Sequence, residues 1–566
     1  MPTQLRGRRF ILGIVAIVCV GVALGAIQQR QVGWNEYSHY DQVRALDHGT
    51  PYINEWRHTT GDRAVFHGHF LSDKAPGLGL LVLPVYEVAR GIGFIGSAQH
   101  SSSLDRSAVH LLVVFGCTLP VVLIMLLALW MVDRRDPEHG AAVGITLGLS
   151  TLLLPFATLF FSHVLSAFLG FAAFCLLWRE RERGGGRTWP IVAAGILAGY
   201  AVSTEYPLAV LAVLLGLYAG WRRDPVRSMV AYGVGVVVGL VPLLLYDWWA
   251  FGSPFHLSYS YVAANSTGVL GLGAPSVRTF VRLLVADRGL FVVTPLTAVA
   301  IAGIIVLYRE GRRRDALMPG AVVLAYLGYN ACYYLPFGGG VPGPRFLITI
   351  LPFLALPLAA AFRRAPLTTI SLALVSMAIM TIATITGPIL DTGKSTHVWW
   401  RRLEAGAFKT PHWTLAVFGV FVLIAVIVAA RVTPRPKIAR RDVALAALGL
   451  GGWLAIMRAG PILLQRDHET GHIGGMLTLI FFGLAYGATA YELATGSAMA
   501  LLAGVPLIAF ALRSLDHTPD SLVLCGASAA ILLFVTQTRW RDGALTGLTR
   551  LRRSGSGADP QPAREV

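Results

Sequence analysis

Along this chain, apolar stretches alternate with short polar connections rich in arginine, from Phe10 almost to the carboxy terminus. A helix needs roughly 17–25 apolar residues to cross the hydrocarbon layer of a bilayer, and about 16 stretches meet or approach that length. They lie near 10–27, 109–131, 140–158, 162–178, 188–205, 207–221, 228–249, 290–308, 316–335, 346–363, 367–387, 411–431, 442–457, 474–492, 496–513 and 520–536. The pattern predicts an all-α polytopic membrane protein.

The polar connections predict how the spans are threaded. With alternate crossings, Arg134 and Arg135, the run from Arg179 to Arg187, Arg222, Arg223 and Arg227, and the run from Arg309 to Arg314 fall on one side. Arg363 and Arg364, Arg431 to Arg441, and the tail from Arg539 join them. Basic loops mark the cytoplasmic face, so both termini are expected there, in a multi-pass plasma-membrane protein. The first span follows Arg6, Arg8 and Arg9 and has no small-residue cleavage site before Gln28, which reads as a retained anchor. The same alternation puts residues 28–108 outside, so the apolar run from Leu78 to Val88 is expected to be a juxtamembrane or re-entrant helix. Further outer loops are expected at 250–289 and 336–345.

Composition agrees with this reading. Hydrophobic residues make up 55% of 566 and charged residues 14%, with a mean hydropathy of +0.62, far from soluble averages. The net charge of +17 would point to nucleic acid in a soluble protein. Here it sits in orientation clusters, and no nucleic-acid partner is expected. The five cysteines are distant from one another and lack ligand-like spacing, so neither a disulfide framework nor a zinc site is expected. Lysine occurs only at Lys74, Lys394, Lys409 and Lys437, which makes Lys74 conspicuous.

Candidate chemistry concentrates in the polar segment from Asn35 to Gly77, which holds Glu36, His39, Asp41, Glu55, Asp62, Asp73 and Lys74 beside the membrane. Titratable groups at such a depth mark functional sites. Asn35 to Leu46 reads as a short helix capped by Asn35. Turns are expected at His48 to Pro51, at Gly61-Asp62 and at Gly68. Pro76 is placed to open the juxtamembrane helix. A carboxylate, a cation and an interfacial address together suit transfer of a sugar from a lipid phosphate. A base takes the acceptor proton while cations stabilise the departing phosphate. Glu36, Asp41 and Asp73 are the candidate bases. Lys74 and Arg345, the latter after a glycine-rich turn, are candidates for the phosphate, with Asn35, His39, His163 and Glu205 nearby in the expected topology. The competing reading of Arg345 is a side chain snorkelling to headgroups. That of His163 is a hydrogen-bonded residue near a span end, since no second metal ligand stands at i+3 or i+4.

In the order of these motifs the chain resembles GT-C-fold glycosyltransferases of the protein mannosyltransferase and lipid A aminoarabinose transferase kind. Asn35-Glu36 stands where that family has an Asp-Glu pair, and Asp73-Lys74-Ala75-Pro76 where it has a lysine-proline motif preceded by an acid. Ser203 to Pro207 takes the place of a threonine-lysine-glycine motif, and Gly343-Pro344-Arg345 that of an arginine motif heading a later span. Two positions depart from the family: Asn35 replaces its aspartate base, and Glu205 replaces a lysine. The resemblance implies a catalytic module over 1–363, while the later apolar runs predict additional membrane helices over 364–537 and composition predicts a basic, disordered tail over 538–566. The resemblance also implies inverting transfer from a polyprenyl-phosphate sugar to an extracytoplasmic acceptor, with membrane lipids around the site and neither metal nor cofactor. A carrier or lipid-linked-sugar flippase is the main competing class, for which paired broken helices and inverted symmetry would speak. A non-catalytic envelope scaffold is the second.

Overall fold

The computed structural model describes residues 3–95, 104–222, 224–262, 271–390, 396–434 and 436–464. The expected spans at 474–492, 496–513 and 520–536, and the tail 538–566, lie outside the described residues. Seven of the described helices are long and apolar enough to cross a membrane, and eight crossings result if a bent pair is taken as one. The protein is an all-α polytopic membrane protein.

α1 (Thr3–Ala26) is the first span. The expected outer loop then folds as α2 (Trp34–Asp47), a hairpin of β1 (Arg63–Phe66) and β2 (His69–Ser72), and α3 (Gly77–Gly91). α3 forms where the apolar run from Leu78 to Val88 predicts a helix, and Pro76 caps its start. The hairpin is antiparallel, with Arg63 opposite Ser72 and Phe66 opposite His69. His67 and Gly68 both take positive φ, 48° and 84°, the left-handed pair that a two-residue hairpin turn needs. Four-residue strands are too short to leave a periodic pattern, so only their bounding turns were legible.

α4 (Arg106–Val113) continues through a π turn into α5 (Leu119–Arg135), one crossing of 30 residues. The expected span at 140–158 is not continuous. α6 (Gly140–Leu149) ends early, and α7 (Leu153–Phe156) is a single turn. Thr151 Oγ1 donates to Leu147 O at 2.6 Å and accepts from Leu153 N–H at 3.2 Å, so a side chain replaces the backbone ladder at the break. The non-helical link that follows delivers Phe160 to α2 and Ser162 to the end of α9.

Next come α8 (His163–Glu182), α9 (Trp189–Thr204), α10 (Leu208–Gly220) and α11 (Pro225–Phe251). α9 and α11 pack backbone against backbone. A Cβ on Gly195 or Gly199 would lie 2.1 and 2.2 Å from the carbonyls of Tyr232 and Val236, and one on Gly235 or Gly239 2.2 Å from those of Val192 and Ile196. Backbones meet because nothing else fits between them, as in small-xxx-small membrane packing. α12 (Val277–Val285), α13 (Leu290–Val293), α14 (Leu296–Arg309) and α15 (Arg313–Cys332) follow. The expected span at 290–308 is bent by 96° at Thr294-Pro295, because proline excludes the helical conformation from the residue before it. The remaining described helices are α16 (Ala355–Arg364), entered through 3₁₀ turns from Arg345, then α17 (Pro366–Thr386), α18 (His397–Glu404), α19 (His412–Val432) and α20 (Arg440–Leu464).

The two ends of the bundle differ in charge. At one end the arginine clusters interlock with acids: Arg6 with Asp133 at 3.0 Å, Arg135 with Glu182 at 2.5 Å, and Arg363 with Asp136 at 2.9 Å and Glu310 at 2.5 Å. At the other end α2, the hairpin, the 157–162 link, the end of α9 and the 336–345 turn converge.

Candidate active site

α2 starts one residue earlier than expected, and its cap is not Asn35. Gly33 caps it, and Glu36, at the third helical position, reaches back to accept Gly33 N–H at 2.8 Å. The other Glu36 oxygen accepts Phe160 N–H at 3.2 Å, across 124 residues of sequence. Both oxygens of this candidate base are therefore bound by backbone donors. The carboxyl is 1% exposed, and burial raises its pKa to about 7 against the pull of those two bonds. Glu36 is built as a clamp between α2 and the 157–162 link. Asn35 is buried with its side-chain oxygen unpartnered.

Asp41, the second candidate, belongs to a different cluster. Its oxygens accept from the Arg44 guanidinium and the Thr59 hydroxyl. Arg44 in turn lies over the Tyr40 and Trp56 rings at 4.6 and 4.3 Å. Burial raises the Asp41 pKa despite these partners. The ion pair is a peg that holds α2 against the turn at 54–60.

Lys74 holds the third candidate base, Asp73, together with Asp62, which lies in the same polar segment but is not among the candidate bases read from the sequence. Its Nζ lies 2.9 Å from Asp73 and 2.8 Å from Asp62. Ser38, on α2, donates to Asp62 O at 2.7 Å, contacts Ser72 Oγ at 2.8 Å and donates to Asp73 Oδ1 at 3.3 Å. Ser258, from the loop after α11, donates to Asp73 O at 2.9 Å. The two carboxyls are pushed apart. Burial opposes ionisation of Asp62, but Lys74 and then Arg345 outweigh it and hold its pKa below the usual range. For Asp73 burial prevails, and its pKa is raised. Burial likewise opposes the Lys74 charge, yet the two acids win and raise its pKa. Asp62 keeps 30% of its side chain exposed, against 12% for Asp73. The signal for Asp62 was its place directly after Gly61, at the start of a turn-bounded segment. Nothing local in the sequence says that this turn meets Lys74.

A second ion pair stands beside the first. His163 Nδ1 lies 2.5 Å from Glu205 Oε2, and Ser162 Oγ donates to the same oxygen at 3.0 Å. Glu205, the residue that ends α9, is thus paired with a histidine. His39 packs edge-on against Phe160, with ring centroids 5.8 Å apart, and is wholly buried with both ring nitrogens unpartnered. Burial, with the charges of Lys74, His163 and Arg345, holds its pKa well below the usual value, so it is neutral at pH 7.

Arg345 lies between these groups electrically. Its charge acts on Asp62, Asp73, Lys74, His39 and Glu205. Its guanidinium rests near the Phe161 and Phe346 rings, 5.7 and 5.2 Å from their centroids. It has no carboxylate partner among the described residues, and its Nε is buried without a hydrogen bond. Gly338 makes room for it: a Cβ there would fall 2.2 Å from Arg345 Nε, and its φ of 75° suits glycine. Tyr329 and Tyr333 stack on each other and meet Phe346 edge-on, an aromatic wall that sequence reasoning also missed. Among the described residues no group of three or more His, Cys, Asp or Glu is arranged to hold a metal ion.

No protein-family model matches this sequence, and no curated protein matches it. Among solved structures, the chain is similar to the archaeal oligosaccharyltransferase AglB from Archaeoglobus fulgidus in complex with an inhibitory peptide and a dolichol-phosphate. Identity is 12%, over 81% of this chain and 61% of that one, with a TM-score of 0.38. It is also similar to the A. fulgidus oligosaccharyltransferase in the apo form, at 12% identity over 84% and 59% of the two chains, with a TM-score of 0.37. The chain spans about three fifths of the length of these structures.

Proposed function

We propose that this protein is an integral membrane glycosyltransferase of the GT-C type, moving a sugar from a polyprenyl-phosphate donor to a hydroxyl presented at the non-cytoplasmic face. The observation that carries this reading is Arg345, an arginine with no acidic partner among the described residues, in the electrostatic reach of a lysine bracketed by two carboxyls whose pKa values diverge. Divergent acids at one site mark acid–base work, and an unneutralised guanidinium beside them suits a leaving phosphate.

In this mechanism Asp62, ionised and the more exposed of the pair, takes the proton from the acceptor hydroxyl. The acceptor oxygen attacks the anomeric carbon as the bond from that carbon to the phosphate oxygen breaks, and the configuration inverts. The electron pair leaves with the polyprenyl phosphate, whose charge Arg345 and Lys74 stabilise. Asp73 stays on Lys74 and orients it. Glu36 and Asp41 are structural supports in this scheme, and Asp62 supplies the carboxylate that Asn35 lacks.

The test is turnover of a labelled polyprenyl-phosphate sugar by the protein in liposomes. Asp62→Asn is expected to lower kcat by roughly a hundredfold or more, the scale of a lost general base. Arg345→Gln is expected to cost about as much, the scale of one lost oxyanion-stabilising donor. Wild-type rates in both variants would overturn the assignment. Counterflow of a labelled solute without sugar transfer would replace it with a carrier.

A further inference from the structure

At the arginine-rich end, opposite the candidate active site, the α8–α9 and α10–α11 connections and the start of α15 enclose a cavity of about 780 Å³. Arg181, Arg187, Arg222, Arg227 and Arg314 line it, and Asp224 is the one carboxylate residue in the lining. Topological orientation asks only that arginines lie on this side of the membrane. It does not ask that five of them, from three separate connections, converge on one hollow.

Two of these guanidiniums are fixed in place with donors left over. Arg181 Nη2 donates to the carbonyls of Tyr218 and Trp221 at 2.8 and 2.6 Å, and Arg222 Nη2 to that of Leu177 at 3.0 Å. Arg181 Nη1 and Arg222 Nε are buried and have no hydrogen-bond partner. A buried donor without an acceptor is costly, and a guanidinium fork held by carbonyls is shaped for an anion. Charge crowding adds a second sign. Burial, and then the neighbouring Arg181, push the Arg222 pKa down, and Glu180 only partly offsets them. Glu180 Oε1 accepts Arg187 N–H at 2.8 Å, closing the turn of glycines 184–186, while its Oε2 is buried without a hydrogen-bond partner, so one carboxylate stands against these clustered guanidiniums. That turn forms a rim without side chains, open to a bulky ligand. The half-exposed Trp221, also in the lining, has the character of a membrane-interface residue.

We propose that this cavity binds a phosphate group carrying two or more negative charges, borne by a lipid headgroup at the membrane surface or by a soluble phosphorylated molecule. The binding is independent of the glycosyltransferase reading and lies at the other end of the bundle.

The test uses the full chain in phosphatidylcholine nanodiscs. Inorganic pyrophosphate is titrated by calorimetry, and retention of phosphatidic acid, doped into the nanodisc lipid, is followed by native mass spectrometry. At least one probe is expected to bind the wild type and to lose about tenfold or more in affinity in the double variant Arg222→Gln, Arg227→Gln, the scale of lost charge-assisted hydrogen bonds. Arg313→Gln, at the same end but outside the lining, is expected to bind as the wild type does. Binding of pyrophosphate alone assigns a soluble source, and binding of phosphatidic acid alone assigns a lipid. Binding of neither probe, or equal losses in the double variant and in Arg313→Gln, overturns the proposal. Should the double variant fail to fold, hydrogen–deuterium exchange of the wild type replaces it. Slower exchange over 181–188 and 221–228 with a probe present is expected, and unchanged exchange there also overturns the proposal.

Discussion

At the scale of single residues, burial and partners sort five acids that look alike in the sequence. Glu36 is spent on two backbone N–H groups, Asp41 on Arg44 and Thr59, and Glu205 on His163, which leaves Asp62 and Asp73 on Lys74. Glu36 gives a pH prediction with a definite sign. Its folded pKa is raised from 4.5 to about 7, so the native state binds the proton more tightly than the unfolded chain. The resulting stabilisation is full below pH 4.5 and is lost as pH rises through about 7. The apparent melting temperature in detergent should therefore fall between about pH 5 and pH 8, and Glu36→Gln should flatten that slope. An unchanged slope in the variant would show that Glu36 does not titrate in this window. Asn35, read from the sequence as a helix cap, turns out to be a buried amide one step inside the helix. Capping depends on where the chain enters the helix, and here Glu36 settles that by reaching back to Gly33.

At the scale of elements, the periodic pieces were legible and the interruptions were not. Helices stand at or near the predicted spans within the described residues, because a long apolar run has no other way to satisfy its backbone in lipid, but only seven, or eight with the bent pair, are long and apolar enough to cross. The break after Leu149 and the bend at Pro295 depend on a threonine hydroxyl and a proline competing with the ladder, local events inside runs that stay apolar throughout. α9 and α11 show what holds the site in register, since Glu205 follows directly on α9. Gly199→Val should destabilise the protein by about 1–3 kcal/mol or more, because a side chain cannot enter a backbone contact without forcing the helices apart. Gly233→Ala, where a Cβ meets nothing within 4 Å, should not lower stability and should raise it by at most about 1 kcal/mol, since alanine favours the helix interior over glycine. Thermal unfolding of the two variants beside the wild type decides this, and equal melting temperatures would refute the packing argument.

At the scale of the whole molecule, the charge asymmetry of the connections becomes a difference between two ends. One end gathers the arginine clusters and their ion pairs. The other gathers α2, the hairpin, Lys74 and Arg345. The alternation of basic loops predicts that the second end faces away from the cytoplasm. His58, exposed in the first loop, and Gly185, exposed at the arginine-rich end, give a direct check. A cysteine at His58 should react with an impermeant maleimide in intact cells, and one at Gly185 only after permeabilisation. The reverse result would invert the molecule and remove the donor assignment with it.

That this is a helical membrane protein, where most of its described helices lie, and that titratable groups crowd into the loop after the first span can all be read from the linear order of residues. Those features follow from composition and from spacing within one segment, and both are local. Folding alone establishes which acid answers Lys74, that Glu205 pairs with His163, that Arg345 has no acidic partner among the described residues, and that arginines from three connections share one cavity. Each of these joins residues dozens to hundreds of positions apart, and the energy of a buried charge depends on what stands within a few ångströms of it. That neighbourhood comes into being only when the helices pack.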